Sequence, residues 1–241
     1  KYLKASLREV EVKRSAYNLK ELNIFFLGDM LSGTIHDELI ETNETTPSDA
    51  LFELANILTQ FVEVYLKHFE KVNIYTAYGN HGRLSQKWKS KNTNDNFDWI
   101  LYNILQIKLD EYIKRGQLKI TIPKSCWAIA EVCGHKILYS HGDDIRSYFT
   151  ISFYNVEKRI ANLKEMYGDF KYWIFGHFHT TSNFWNVYTN GSVVGMSELS
   201  AKKYRYTEPE QYFFTINKEY GIKDLYPIKL KNAKENGFET K

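Results

Sequence analysis

Thiols are scarce in this chain. Among 241 residues there are two cysteines, Cys126 and Cys133, seven positions apart and without Cys-x-x-Cys spacing. That excludes a disulfide framework and a thiolate zinc site, and it fits a reducing, intracellular compartment. Long apolar runs are also missing: none approaches the ~20 residues of a membrane span. Lys1-Tyr2-Leu3-Lys4 opens no signal peptide, so the expectation is a cytoplasmic protein with no membrane partner. Neither sign of charge dominates, with 32 Lys plus Arg against 29 Asp plus Glu and a formal charge of +3. Such a balance neither demands nor forbids nucleic acid, because a basic stripe can sit inside a near-neutral total. There is no internal repeat and no low-complexity linker. The expected organisation is one domain over residues 1–230, followed by a frayed tail over 231–241.

What is present is enough apolar material for one sizeable core: 43% of the residues are hydrophobic and 16% aromatic. Leu3 to about Tyr17 reads as a charged helix with Leu3, Leu7 and Val10 on a loose stripe that Val12 and Tyr17 extend. Ile24-Phe25-Phe26-Leu27 is a buried strand ending in Gly28-Asp29. Pro47-Ser48-Asp49 starts a helix, with Ser48 as its cap and Leu51, Leu58, Val62, Tyr65 and Leu66 among its apolar positions. Val72 to Tyr78 is a second strand, stopping at Gly79-Asn80-His81-Gly82-Arg83. Strand, loop, helix, strand is the order of a βαβ unit, so the two strands are parallel and Asp29 and Asn80 leave the same edge. A second helix follows from about Asp95 to Arg115. Then come strands near 118–123, 127–132 and 136–140, the last ending in His141. A third helix, from about Phe149 to Met166 and stopped at Gly168, delivers the chain to Tyr172-Trp173-Ile174-Phe175. That strand runs into Gly176-His177-Phe178-His179, where Gly176 is expected to supply the turn. Hairpins are expected over 183–196, turning at Thr189-Asn190-Gly191-Ser192, and over 211–230, turning near Tyr220-Gly221.

Four strands thus end in residues that bind a metal or a phosphate: Asp29, Asn80 with His81, His141, and His177 with His179. In open α/β sheets ligands bind beyond the carboxyl ends of strands, which puts the four endings on one rim. One carboxylate, one amide oxygen and three imidazoles suit Zn, Mn or Fe(II) better than the all-oxygen shells of Ca or Mg.

These four motifs, in this order and at these intervals, resemble the calcineurin-like metallophosphoesterase superfamily over roughly Ile24 to Ser192. Asn190-Gly191-Ser192, Glu198-Leu199-Ser200 and the closing hairpin also resemble its phage and bacterial members, which implies a bacterial or phage-infected host cell. The resemblance implies a fold of class α/β: a four-layer αββα sandwich, with two mixed β-sheets flanked by helices. It implies two divalent metal ions, Mn²⁺ first and Zn²⁺ or Fe²⁺ as alternatives. Asp29 would bridge them, Asn80, His141 and His177 would hold one ion, and His179 would reach the other. His81 would be a catalytic non-ligand that contacts the scissile phosphate and assists the leaving group. The implied activity is hydrolysis of a phosphodiester, single-stranded or duplex nucleic acid included, by a dimetal-activated hydroxide. Two cations roughly 3.5–4 Å apart clamp the phosphoryl oxygens and lower the pKa of water between them.

The chain departs from the family pattern twice. The family's first motif, Asp-x-His, does not occur before Asp29. The expectation is that it lies upstream of Lys1, in a first strand missing from this sequence. The alternative is a non-catalytic binding or scaffold protein on the same fold with an incomplete metal site. Gly82 also stands where many relatives carry an acidic residue. Arg83, next along, is either a bidentate phosphate ligand or an exposed loop charge. Asp143 and Asp144 are candidate acceptors for the His141 ring, and His36 an exposed loop histidine. His68 and His135 are read as a surface helix residue and a turn residue. Lys87-Trp88-Lys89-Ser90-Lys91 and Lys202-Lys203-Tyr204-Arg205-Tyr206 interleave cations with rings. Single-strand binding grooves do the same, and so do ordinary solvated surfaces.

Overall fold

A computed structural model describes residues 1–35, 40–41, 43–85, 94–146, 151–195, 208–231, 233–234 and 237–238. It has the expected α/β class, with helices and more than one sheet. The chain divides into two compact units: Leu19–Ala128 with Tyr139–His141, and Lys1–Asn18 with Ile129–Leu138 and Gly142–Lys241.

The first unit is built on strands β1 (Glu21–Phe26), β2 (Lys71–Thr76) and β3 (Leu118–Thr121), hydrogen-bonded in that order. Both pairings are parallel, so this sheet is parallel throughout rather than mixed. Helix α2 (Pro47–His68) crosses from β1 to β2, as the βαβ reading requires. Its cap, however, is Thr46, whose Oγ1 accepts the Asp49 N–H at 3.2 Å, and not Ser48. Pro47 explains the difference. Lacking an N–H, proline belongs at the first helical position, where no donor is needed, and this moves the cap one residue before it. Between β2 and β3 the single expected helix is two, α3 (Phe97–Lys108) and α4 (Asp110–Lys114), broken at Leu109, whose φ of −106° and ψ of 15° leave the helical region. Leu109 is itself buried, so the break keeps an apolar side chain in the core. Val72, Leu101, Tyr102 and Leu105 are buried with it, and the Tyr102 hydroxyl donates to the Ala77 carbonyl at 2.9 Å.

The second unit carries most of a five-stranded sheet, in the order β4 (Trp127–Val132), β5 (His135–Ser140), β6 (Tyr172–Phe175), β8 (Val187–Thr189), β7 (Ser182–Phe184). This sheet is mixed: β6 and β8 are parallel, β7 and β8 antiparallel. Helix α5 (Phe153–Tyr167) starts at Ser152, whose hydroxyl accepts the Asn155 N–H, and stops at Gly168 with φ 76°. The β7–β8 hairpin turns at Trp185-Asn186, not at the Asn190-Gly191 dipeptide. Trp185 takes the left-handed conformation, φ 50°. Asn190 is used otherwise: its Nδ2 donates to Gln211 at 2.7 Å and its Oδ1 accepts the Tyr212 N–H at 2.9 Å. Strands β9 (Glu210–Asn217) and β10 (Gly221–Lys229) form the expected closing hairpin. In the tail, β11 (Ala233–Lys234) pairs with β12 (Gly237–Phe238).

Helix α1 (Tyr2–Arg14) packs against that closing hairpin. Ala5 meets Ile228 and Leu230, with Tyr2, Phe213 and Tyr226 around them. The Tyr226 hydroxyl donates to Glu9 at 2.6 Å, and Lys13 pairs with Asp224 at 3.1 Å. The buried face of α1 is Ala5, Ser6 and Val10, while Val12 and Tyr17 are exposed.

Replacing Thr46 with alanine should lower stability by about 1 kcal/mol. Ser48→Ala, as a surface change, should stay within about 0.5 kcal/mol. Chemical denaturation of the two variants separates the two cap assignments.

Candidate metal centre

Strands β1 and β2 end in register, Phe26 opposite Thr76, and the Ala77 N–H bonds the Phe26 carbonyl at 2.8 Å just beyond. The loops that leave them therefore start side by side. They stay close because two glycines face each other: a Cβ on Gly28 (φ 87°) would lie 2.7 Å from the Gly79 Cα, and one on Gly79 would lie 2.7 Å from the Asp29 Cγ. Asp29 itself is left-handed, φ 54°, a conformation that costs a non-glycine residue roughly 1–2 kcal/mol. Strain of this kind persists where surrounding contacts enforce it, and here they can be named.

The Asp29 Oδ1 accepts the His81 N–H at 2.8 Å, while its Oδ2 lies 3.0 Å from His141 Nε2. The same His141 Nε2 is 3.0 Å from Asn80 Oδ1. On the other side of the ring, His141 Nδ1 is 2.7 Å from the Leu27 carbonyl, which can only accept, so Nδ1 carries a proton. The acceptor that fixes this buried ring is thus a strand-end carbonyl, not Asp143 or Asp144; Asp144 pairs instead with Arg159. With Nδ1 protonated, a neutral His141 turns a lone pair toward two oxygen atoms. Three electron-rich atoms then face one another at hydrogen-bond distance. Either a second proton on the ring or a cation must lie among them.

Behind this cluster sits a residue that motif reading does not single out. Asp98, the second residue of α3 and wholly buried, accepts three backbone N–H groups: Asp29 at 2.9 Å and Gly79 at 2.8 Å on Oδ2, and Met30 at 3.1 Å on Oδ1. Asn96, the α3 cap, accepts the Asp98 N–H at 2.8 Å and donates to the Gly79 carbonyl at 2.9 Å. The start of α3 is held there by an isolated bridge between Arg83 and Asn96 and by the Phe97 N–H, which bonds the Gly82 carbonyl at 2.7 Å. The only local signal is an ordinary one: Asn, then Asp two residues on, opening a helix. It announces a cap and says nothing of the direction in which the carboxylate points.

Electrostatics favour a cation. Burial draws the Asp29 carboxyl upward, but the His141 charge and hydrogen bond, with the His81 contacts, outweigh it and hold the group well below the usual carboxylate range. Asp98 is pushed up to about 6, by burial first and by the Asp29 charge second, against the Gly79 and Met30 N–H bonds. The part-buried Asp29 carboxyl faces the imidazole and the buried Asp98 carboxyl lies behind it, so a divalent ion at Asp29 would relieve both. A carboxylate, an amide oxygen and an imidazole nitrogen are a donor set for borderline divalent metals, and the residues present fit one.

His81 lies alongside, its Nδ1 2.9 Å from the Ser32 carbonyl. The same loop passes so close that Gly33 has no room for a Cβ against the His81 carbonyl. Arg83 is partly committed: its Nε donates to the Asn80 carbonyl at 3.1 Å, leaving the two terminal nitrogens for any phosphate. His177 and His179 belong to the second unit, on the turn after β6. The expected turn residue there, Gly176, is not left-handed; the histidines are, at φ 64° and 60°. Phe178 between them is buried against Phe175, and the Phe178 N–H bonds the Gly176 carbonyl at 2.7 Å. The short side chain of glycine is thus not what bends this chain; the buried Phe178 ring anchors it. His135 is held by its Nε2, 2.9 Å from the Asn217 carbonyl. His36, the Lys87–Lys91 patch, the Lys202–Tyr206 patch and Glu198-Leu199-Ser200 lie outside the described residues.

No family model and no curated protein matches this chain. Several solved structures have a similar arrangement. Vps29 from Entamoeba histolytica, complexed with zinc, is 12% identical with a TM-score of 0.39, over 88% of this chain and 98% of that one. Vps29 from Cryptosporidium parvum is 12% identical with a TM-score of 0.37, over 87% and 97%. A predicted phosphoesterase from Streptococcus pneumoniae is 10% identical with a TM-score of 0.35, over 87% and 96%. Likeness at this level does not extend to function. Among the described residues, no helix is long and apolar enough to cross a membrane.

Gly79→Ala tests the approach of the two loops. The added methyl meets Asp29 backbone and side chain, so denaturation should show a loss of about 1–3 kcal/mol.

Proposed function

We propose that this chain is a metal-dependent phosphoesterase that hydrolyses phosphodiesters, nucleic acid among them. The observation that supports this most directly is the meeting of Asp29, Asn80 and His141 at about 3 Å with His81 on the adjoining loop. Asp29, Asn80 and His141 are the proposed ligands of a divalent cation. His177 and His179 are added to the ligand set on the order of the motifs, and with them a second ion, which Asp29 would bridge. Mn²⁺ is the first candidate, then Zn²⁺ and Fe²⁺. Backbone strain supports the histidines' inclusion: six described non-glycine residues have positive φ, and Asp29, His177 and His179 are three of them.

When bound, such ions supply Lewis-acid activation of water and of the phosphoryl group. The chain's own residues do the rest. The Leu27 carbonyl holds the His141 ring with Nε2 forward, which fixes the tautomer a ligand needs. The Ser32 carbonyl holds the His81 ring by Nδ1, so Nε2 is the ring nitrogen proposed to meet substrate. In the imidazolium form that Nε2–H donates to the leaving oxygen, giving it the proton that an alkoxide requires. Arg83, anchored by Nε, offers its terminal nitrogens to a substrate phosphate.

Purified protein should hydrolyse an aryl phosphodiester when Mn²⁺ is added, and Asp29→Asn or His141→Ala should abolish both turnover and Mn²⁺ binding by calorimetry. His81→Ala should lower kcat about 10²–10⁴-fold with cation binding unchanged. At about 100 times its Kd, Mn²⁺ should raise the unfolding free energy by ~2.7 kcal/mol. A wild-type protein that binds the cation and turns nothing over would be a binding or scaffold protein on this fold.

A further inference from the structure

The position after His81 is where the family pattern places an acidic side chain and this chain has none. Gly82 is not simply a vacant position. A Cβ built there would overlap Asn96 Oδ1 and fall 3.1 Å from Asn96 Cγ and 3.2 Å from Asp98 Cγ. The space that a side chain at 82 would enter is therefore filled from the start of α3. Its φ is not in the left-handed region, so the absence of a side chain is a matter of room and not of backbone conformation.

We propose that Asp98, delivered by the N-terminus of α3 where its cap Asn96 fills the space that Gly82 leaves open, is the positioning residue of the metal centre. This rests on the metal-centre reading above. Asp98 touches neither ligand side chain by hydrogen bond; it acts through the main chain. Its Oδ2 accepts from both loops at once, from Asp29 N–H at 2.9 Å and Gly79 N–H at 2.8 Å, and so fixes the separation of the two loops where their ligands begin. Its Oδ1 takes the Met30 N–H at 3.1 Å, the amide that follows the left-handed Asp29. Consecutive amides turned toward one anion form a concavity of the kind that holds phosphates, here occupied by an internal carboxylate. Asn96 grips the carbonyl of Gly79 while Asp98 grips its N–H, so the residue before Asn80 is held at both of its backbone groups. No lysine or arginine bonds to Asp98 among the described residues. Its charge is answered by N–H dipoles and by the start of α3, and a cation beyond Asp29 adds to that.

A neutral isostere separates this role from simple space filling. Asp98→Asn keeps the shape, but its NH₂ replaces one acceptor and meets a backbone N–H head-on. We expect it to weaken Co²⁺ and Mn²⁺ binding by about 10- to 100-fold, as removal of outer ligand-orienting partners does, and to shift the visible Co²⁺ d–d bands. Leu101→Ala, one turn along α3 and equally buried, is the control: it destabilises the helix and should leave the metal Kd and the Co²⁺ spectrum as in wild type. If Asp98→Asn does not fold, Gly82→Ala decides, because one methyl overlaps Asn96 Oδ1, which holds the Asp98 N–H, and crowds the Asp98 carboxyl at 3.2 Å, so that Asp98 must shift without loss of a charge or a ligand; it should weaken binding at least 10-fold, on the order of the same effect. Wild-type protein that binds neither ion overturns the metal centre itself. Wild-type protein that binds, beside an Asp98→Asn or Gly82→Ala variant with unchanged Kd and spectrum, overturns the role given to Asp98. So does a Leu101→Ala variant that loses affinity to the same extent.

Discussion

Everything at this site depends on two loops approaching closer than any side chain permits. Strands β1 and β2 end opposite each other, and Gly28 and Gly79 let the chains that follow run nearly in contact. Contact alone would leave backbone N–H groups facing one another across the gap. Asp98 resolves that by inserting a carboxylate that accepts from both sides. The approach of the loops and the burial of Asp98 are therefore one feature seen from two elements. A large side chain at Gly28, Gly79 or Gly82 acts on all of it.

A consequence is that the cluster in front of Asp98 is charged and crowded before any ligand arrives. The Asp29 carboxyl is held down by His141, while Asp98 behind it is raised toward neutral pH by burial and by that same Asp29. Like charges this close in a buried place call for a counter-charge. The orientation of His141 asks for a proton or a cation on its second nitrogen. Here it faces Asp29 and Asn80, both acceptors at 3.0 Å. The strained backbone at Asp29 fits the same picture, since the fold maintains a costly conformation in order to aim one carboxylate.

Much of this was legible in the sequence, and the reason is locality. Asp29 and Asn80 share an edge because an apolar run, a capped amphipathic helix and another apolar run leave a right-handed parallel unit as the simple solution, and each of those signals lies within a few residues of itself. Most of what escaped reading was set by contacts distant along the chain. The cap of α2 is the exception, placed at Thr46 by the proline that follows it. The turn at Trp185-Asn186, by contrast, could not be seen, because Asn190-Gly191 carries the stronger turn signal and is occupied with β9, 20 or more positions away. Asp98 escaped for the same reason: its three partners are 19 to 69 residues before it.

The docking of α1 on the closing hairpin has a bearing on how this protein is made. Lys13 and Asp224 are separated by 211 positions, and Glu9 and Tyr226 by 217. Closing so long a loop costs entropy that only the completed contact returns, and contacts of such separation slow folding. During synthesis, residues 19–128 can form their parallel sheet while α1 still lacks the surface that covers Ala5. An amphipathic helix thus waits with its apolar face uncovered until β9 and β10 have been translated. Crowding, chaperones and the pace of translation act on this chain through that interval.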